Sequence, residues 1–217
     1  MGGALILVAA AGALALLLLA VRLWVVLSPR APVPRRSLSL LVVAGSGGHT
    51  TEILRLLENL SNAYSPRHYI VADTDEMSTH KINSFEQIRA DRNPSATFPE
   101  YYVHRIPRSR EVQQSWLSSV LTTLYSMWLS FPLTYRVKPD LVLCNGPGTC
   151  VPICISALLL GILGIKKVII VYVESICRVE HLSLSGKILF HLSDYFIVQW
   201  PTLKEKYPKS VYLGRIV

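Results

Sequence analysis

The chain has 217 residues, a formal net charge of +8 and 51% hydrophobic residues. Its length allows one ordinary domain with an appendage and excludes two full domains. A soluble basic domain is normally less apolar than this, so the composition points to a segment that belongs in a membrane.

That segment comes first. Gly2 to Val21 is an unbroken apolar run of twenty residues, and a helix of that length, rising about 1.5 Å per residue, spans roughly 30 Å, the hydrocarbon thickness of a bilayer. A cleavable signal carries basic residues ahead of a shorter apolar stretch. Here no Lys or Arg precedes the run, while Arg22, Arg30, Arg35 and Arg36 follow it and Trp24 falls at interface depth. The reading is an uncleaved anchor over residues 2–27, with the N-terminus lumenal or outside and the remainder cytosolic by the positive-inside rule. Residues 28–37, rich in Pro and Arg, form a tether that cannot make a regular helix and whose cations suit anionic headgroups. Residues 38–217 are left for one folded domain. Cys144, Cys150, Cys154 and Cys177 lie in or beside apolar runs without C-x-x-C spacing, which reads as buried reduced thiols.

Along that domain, strand-like apolar runs alternate with helical stretches. The strand 38–44 leads to a helix from Thr50 to about Leu60, then to the strand 67–73 and a helix near 76–89. After an uncertain loop come the strand 101–106 and a long helix from Gln114 to about Tyr135. The strand 140–144, an apolar helix from Cys150 to about Leu163, the strand 167–173, a helix near 183–192, the strand 195–199 and a final run 210–217 complete the chain. Continuous β-branched runs separated by helices describe a parallel sheet covered on both faces, hence an α/β, doubly wound, Rossmann-like fold. The run 150–165 is short for a span and reads as a buried helix, with shallow membrane insertion as the alternative. The aromatics of 115–135, flanked by Arg105, Arg108 and Arg110 before and Arg136 and Lys138 after, suit either a core helix or one lying on a bilayer.

Chemistry concentrates at strand ends. Gly45-Ser46-Gly47-Gly48-His49-Thr50 follows the first strand and opens a helix, so its backbone can approach a phosphate closely and the helix N-terminus offers unpaired N–H groups. It resembles the dinucleotide pattern G-x-G-x-x-G with Thr50 at the third glycine, and Asp73 ends the second strand where such enzymes hold a ribose, so a membrane NAD(P) oxidoreductase stays open. A second loop, Asn145-Gly146-Pro147-Gly148-Thr149, repeats the strand, glycine loop, helix order; its bland alternative is a tight turn. In a doubly wound sheet the two loops face each other at the switch point. With His49 between them they suit a diphosphate ester whose neighbouring hydroxyl must lose a proton, His49 being the candidate base; a residue that merely caps the helix or fills a crevice is the bland alternative. Glu174, at the end of the strand 167–173, is a weaker candidate for acid–base work or for holding a sugar hydroxyl, with Arg178 as a phosphate clamp; a helix cap beside an exposed arginine is the bland alternative. No acidic pair is spaced for a metal, and none is expected; nor is a nucleic-acid partner.

Taken together, Val42 to Thr50, Asp73-Thr74-Asp75, Arg105-Ile106-Pro107-Arg108, Asn145 to Thr149 and Tyr172 to Ser175 resemble the membrane-anchoring, acceptor-binding subunit of the dolichol-linked UDP-N-acetylglucosamine transferase of eukaryotes. That subunit is similar to the N-terminal half of the bacterial MurG-type enzymes, two-lobed GT-B glycosyltransferases. The resemblance implies transfer of N-acetylglucosamine (GlcNAc) from UDP-GlcNAc to dolichyl-diphospho-GlcNAc at the cytosolic face of the endoplasmic reticulum, in lipid-linked oligosaccharide synthesis for N-glycosylation. By it, Gly45, Ser46, Gly47, Gly48, Thr50, Asn145, Gly146 and Gly148 hold the acceptor diphosphate, His49 is the base, and Glu174 matches a loop facing the acceptor sugar, although the residues after it differ. No permanent cofactor is implied. A soluble partner subunit supplies the second lobe and holds the donor, and the preceding GlcNAc-phosphate transferase is a further partner the resemblance allows. The apolar end, with Leu213, Ile216 and Val217, is the expected docking segment. A scaffold without catalytic groups is the remaining alternative.

Overall fold

The computed structural model describes residues 2–28, 37–92, 100–109, 114–146 and 148–217. Most of the expected tether, the uncertain loop before Tyr101, Arg110 and Pro147 lie outside the described residues. Among the described residues the strands are β1 (Leu40–Gly45), β2 (Arg67–Ala72), β3 (Tyr101–Ile106), β4 (Leu141–Asn145), β5 (Ile169–Val173), β6 (Tyr195–Val198) and β7 (Val211–Tyr212). The helices are α1 (Gly2–Leu27), α2 (Gly48–Leu57), α3 (Glu76–Arg92), α4 (Trp116–Val137), α5 (Cys150–Ile162), α6 (Leu184–Leu189) and α7 (Pro201–Lys206).

One sheet has the order β3-β2-β1-β4-β5-β6-β7, with every pairing parallel. The chain winds outward from β1 in one direction and returns through β4 to wind in the other, which is the doubly wound Rossmann-like order with its switch point between β1 and β4. Both faces of β1 are covered. Leu41 and Val43 join Val142, Cys144, Ile153 and Leu160 in one core, while Leu40, Val42 and Ala44 join Ile53, Leu57, Tyr69 and Ile82 in the other. A strand buried on both sides needs a continuous apolar run rather than an alternating one, and Leu40–Ala44 supplies it.

Helix α5 is buried on nearly every side, with Ile153, Cys154, Ala157 and Leu160 at 1% exposure or less, so its apolarity serves the sheet. Cys144, Cys150 and Cys154 are buried there as free thiols; burial pushes Cys144 and Cys150 up, and the contact with Cys144, then burial, pushes Cys154 up. Cys177 departs from the expectation and is exposed.

Helix α4 is apolar on the wrong side for a soluble protein. Ser126, Ser130 and Thr134 are fully buried and Ser119 nearly so, whereas Leu117, Leu121, Leu124 and Trp128 are 52–78% exposed. Ser119, Ser130 and Thr134 return their hydroxyls to the carbonyls four residues back, which satisfies them and leaves small side chains against the body. The exposed set recurs at i, i+4, i+7 and i+11, one face of a helix. Of the aromatics, Phe131 packs on the core while Tyr125 and Trp128 face out.

Helix α1 is long and apolar enough to cross a membrane, and only 6% of its apolar window is buried. Its last turns are fastened to the domain. Val26 packs on Gly161, Arg22 Nε donates to Ile162 O (3.1 Å) at the end of α5, and Lys167 Nζ donates to Ser28 O (2.6 Å) just past α1. Cations at these two helix ends meet carbonyls that lack an intrahelical partner.

Elsewhere the elements fall close to expectation, with α2 beginning at Gly48 rather than Thr50. Helix α7, begun by Pro201, was not anticipated, and only Val211 and Tyr212 of the final run pair as a strand.

On the α3 face a buried ion pair fixes β2. Arg67 Nε and Nη2 donate to Glu86 Oε1 and Oε2 at 2.7 and 2.5 Å, and Tyr69 donates its phenol to the same carboxylate. Both charged side chains are at most 2% exposed. Glu86→Ala therefore strands a buried guanidinium and is expected to destabilise the domain by about 3–5 kcal/mol, measured by chemical unfolding.

On the opposite face, His68 Nδ1 lies 3.0 Å from His104 Nε2 with the rings stacked. Burial, and then the neighbouring imidazole, lower His68 from its ordinary 6.5 to about 4; burial, and then Arg136, lower His104 as well. The unfolded chain binds these protons more readily, so the stability present above pH 6.5 drains away as pH falls toward about 4. Urea midpoints across that window are expected to decline, and His68→Gln is expected to flatten the decline.

Candidate active site at the switch point

The first loop is made by where glycine is needed. Gly47 precedes α2 at φ 60°, a conformation that side chains disfavour, and it provides no capping side chain, so the first N–H groups of α2 are left for a ligand. A Cβ added at Gly47 or Gly48 would meet nothing within 4 Å, so both backbones face open space. Thr50 points the other way. It is fully buried, its Oγ1 lying 2.6 Å from Ser78 Oγ and 3.1 Å from Ala44 O, and Ser78 donates its N–H and hydroxyl to Asp75. It ties loop to sheet, and its hydroxyl is already engaged. Asp73 is exposed at the end of β2.

The second loop closes on the first. Gly146 has φ 70°, and a Cβ there would lie 2.6 Å from His49 Cε1 and 2.8 Å from His49 Nδ1, so the imidazole lies directly on this glycine. His49 Nδ1 is 3.3 Å from Asn145 Oδ1. Asn145, fully buried at the end of β4, donates its amide to Glu52 Oε2 (3.0 Å). Glu52 also receives Ser175 Oγ (2.8 Å, at Oε1) and Ile176 N (3.3 Å, at Oε2) from the third loop. One carboxylate thus joins all three strand ends. Sequence reasoning passed over Glu52; the available signal was its place three residues after His49, on the same helix face.

Glu174 does not reach this cleft. It is fully buried behind it, accepting from Ser183 N (3.0 Å), Ser183 Oγ (3.1 Å) and Ser175 N (3.2 Å), with Gly186 packed against its carboxylate. Burial raises its pKa, opposed by those hydrogen bonds. Its carboxylate holds the third loop to the start of α6. The expected docking residues lie apart from the cleft beyond β7: Leu213 is 60% exposed, while Ile216 and Val217 are half-buried and Ile216 N donates to Gln199 Oε1 (3.3 Å).

A cavity of about 810 Å³ opens in front of the two loops. Gly45, Ser46, His49, Gly146 and Gly148 line one side, Arg108, Ser109 and Thr149 add polar atoms, and Val120, Leu124, Leu184 and Ile188 form an apolar part. Among the described residues, Arg108 Nε, Ser109 Oγ and Thr149 Oγ1 are buried without a hydrogen-bond partner, and all three residues line this cavity. Buried polar groups are normally satisfied, so three at one cavity mark a place built for a polar guest. Another cavity, of about 700 Å³ between α2 and α3, contains neither glycine loop.

Two glycine loops thus face each other at the switch point of a parallel sheet, and an uncapped helix N-terminus and three unpartnered buried polar groups meet at one cavity. The family described as oligosaccharide biosynthesis protein Alg14 like matches residues 40–216. The UDP-N-acetylglucosamine transferase subunit ALG14 of Homo sapiens is 80% identical over 213 residues, 98% of each chain, and that of Yarrowia lipolytica is 41% identical over 180 residues, 82% of this chain and 81% of the other. The crystal structure of Acinetobacter baumannii MurG superposes with a TM-score of 0.50 at 13% identity, over 76% of this chain and 42% of that one, a likeness of fold. The chain belongs to the Alg14-like family of oligosaccharide biosynthesis proteins.

Gly146→Ala tests the contact that seats the imidazole. With positive φ and a Cβ inside the ring's space, it is expected to cost about 1–3 kcal/mol in thermal unfolding and to move the His49 ring resonances. Unchanged resonances would show that the ring is not held by this glycine.

Proposed function

We propose that this protein is the acceptor-binding, membrane-anchoring subunit of a GT-B glycosyltransferase that moves GlcNAc from UDP-GlcNAc to dolichyl-diphospho-GlcNAc during synthesis of the N-glycan precursor. Its relatives are named as subunits of a UDP-N-acetylglucosamine transferase, which supports GlcNAc transfer, and the lipid acceptor is part of the proposal. The single observation that carries the site assignment is the cleft, where a polar floor with three unpartnered buried groups adjoins an apolar wall and His49 stands between two glycine loops. A lipid diphosphate has that same division. Its phosphates suit the α2 N-terminus, Arg108 and Thr149, and its isoprenoid chain suits Val120, Leu124, Leu184 and Ile188. Family membership, more than the first loop, sets aside the dinucleotide reading.

In the reaction an acceptor-sugar hydroxyl gives its proton to His49 as its oxygen bonds to the anomeric carbon of GlcNAc. The bond from that carbon to the diphosphate breaks, and UDP leaves with the electron pair. A soluble partner holds the donor, and the exposed Leu213 with Ile216 and Val217 forms part of the surface that receives it. No tightly bound cofactor enters this scheme.

The membrane arrangement follows from two helices. Helix α1 spans the endoplasmic reticulum membrane once, N-terminus lumenal, and the outward face of α4 lies on the cytosolic leaflet. Val120 and Leu124 belong to α4 and also line the cleft, so the cleft opens toward lipid.

Membranes carrying the full chain, supplied with UDP-GlcNAc and a short-chain dolichyl-diphospho-GlcNAc, are expected to form product only when cytosol provides the partner. His49→Ala is expected to lower kcat by about 10²-fold or more while the partner remains bound. Near-normal turnover in that variant removes the assignment of the base.

A further inference from the structure

Asn145 is placed between two groups that together dictate which way its amide points. Its Nδ2 faces Glu52 Oε2 at 3.0 Å and Val173 O at 3.5 Å, and neither a carboxylate nor a backbone carbonyl can donate. The amide nitrogen therefore belongs on that side, and Oδ1 is turned to His49 Nδ1 at 3.3 Å. An amide oxygen only accepts, so Nδ1 must carry the hydrogen, and the lone pair of the neutral ring is then on Nε2. Glu52 cannot swing away, because Ser175 Oγ and Ile176 N donate to it from the third loop. Asn145 is fully buried, and Gly146 holds the ring edge.

We propose that Glu52 and Asn145 are positioning residues that fix His49 as the Nδ1–H tautomer, so that Nε2 is the atom that receives the proton of the acceptor hydroxyl. The logic is that of a base oriented by a second group, here a buried amide that is itself oriented by a carboxylate. The inference rests on the reading of His49 as the base.

It also assigns the carboxylate a task that needs no contact with substrate. Glu52 sets the direction of one amide, and that amide sets the ring. Asn145, which the resemblance placed on the acceptor diphosphate, is fully buried with its amide committed to Glu52 and His49 and does not line the cavity. Removing either partner therefore leaves the imidazole against Gly146 but free to exchange tautomers, which lowers the productive fraction and the alignment of Nε2 without removing a group that grips the acceptor. The defect belongs in kcat rather than in KM.

The test uses the full-length chain in complex with its partner, comparing wild type with Asn145→Ala, Glu52→Ala and His49→Ala. For the first two, kcat is expected to fall by about 10- to 100-fold, with KM for the lipid acceptor within about threefold of wild type. Histidine ¹⁵N spectra of the labelled complex, with His49 assigned from the His49→Ala spectrum, are expected to show Nδ1–H in wild type and a tautomer mixture in Asn145→Ala. The proposal is overturned if both variants keep kcat within about threefold of wild type while His49→Ala is inactive, or if the wild-type ring is protonated at Nε2. Should either variant fail to retain the partner, the wild-type spectrum alone decides. Near-normal turnover by His49→Ala would instead overturn the base assignment and this inference with it.

Discussion

Because β1 and β4 hydrogen-bond as parallel neighbours, with Val43 opposite Cys144, the loops that leave their carboxyl ends must emerge side by side. That pairing joins segments about a hundred positions apart in the chain and brings one glycine loop against the other. Everything at the site follows from it: the imidazole of His49 lies on Gly146, Asn145 reaches both His49 and Glu52, and the N-terminus of α2 opens onto the cavity. Side chains at Gly47 or Gly146 would oppose the backbone conformation there, and at Gly146 the Cβ would occupy the space of the ring.

The two faces of the sheet answer to different surroundings. Toward α2 and α3 the core ends at polar groups that meet one another, as Arg67, Glu86 and Tyr69 do. Toward α4 the polarity is reversed: serines and threonines are inside, satisfied by their own helix, and leucines and Trp128 are outside. Helix α1 is fastened to the end of α5, and the small inward residues of α4 let α4 and α5 pack closely. The cleft takes part of its apolar wall from that same helix, through Val120 and Leu124.

The carboxylates show how a residue's task depends on its surroundings. Glu174 stands at a strand end, where such folds bind ligands, and that position made it a candidate. Its neighbours are donors from its own loop and from the start of α6, so it is consumed in fixing the backbone. Glu52 stands in the helix just after the first glycine loop, and the second and third loops converge on it. Both are bracing groups, but only Glu52 is linked through one side chain to His49.

Much of this was legible in the chain alone. The apolar run of Gly2–Val21, the order of strands and helices, the two glycine loops and the resemblance they carried are patterns among near neighbours, set by periodicity and by the conformational freedom of glycine. The short helix begun by Pro201 escaped notice because six residues hold too little periodicity to register. For the aromatic stretch 115–135 the sequence left core and bilayer equally open, since a helix's composition does not say which face is turned inward; the structure packs Phe131 on the core and turns Tyr125 and Trp128 outward. Likewise, no local pattern could pair Glu52 with Asn145 or Ser175, which lie 93 and 123 positions away. The sequence determined the class of fold, the long apolar N-terminal helix and the place of the two glycine loops. Only the tertiary structure decided which side chain orients the histidine and which face of α4 looks out, because those depend on contacts that exist only once the parallel sheet has brought distant strand ends together.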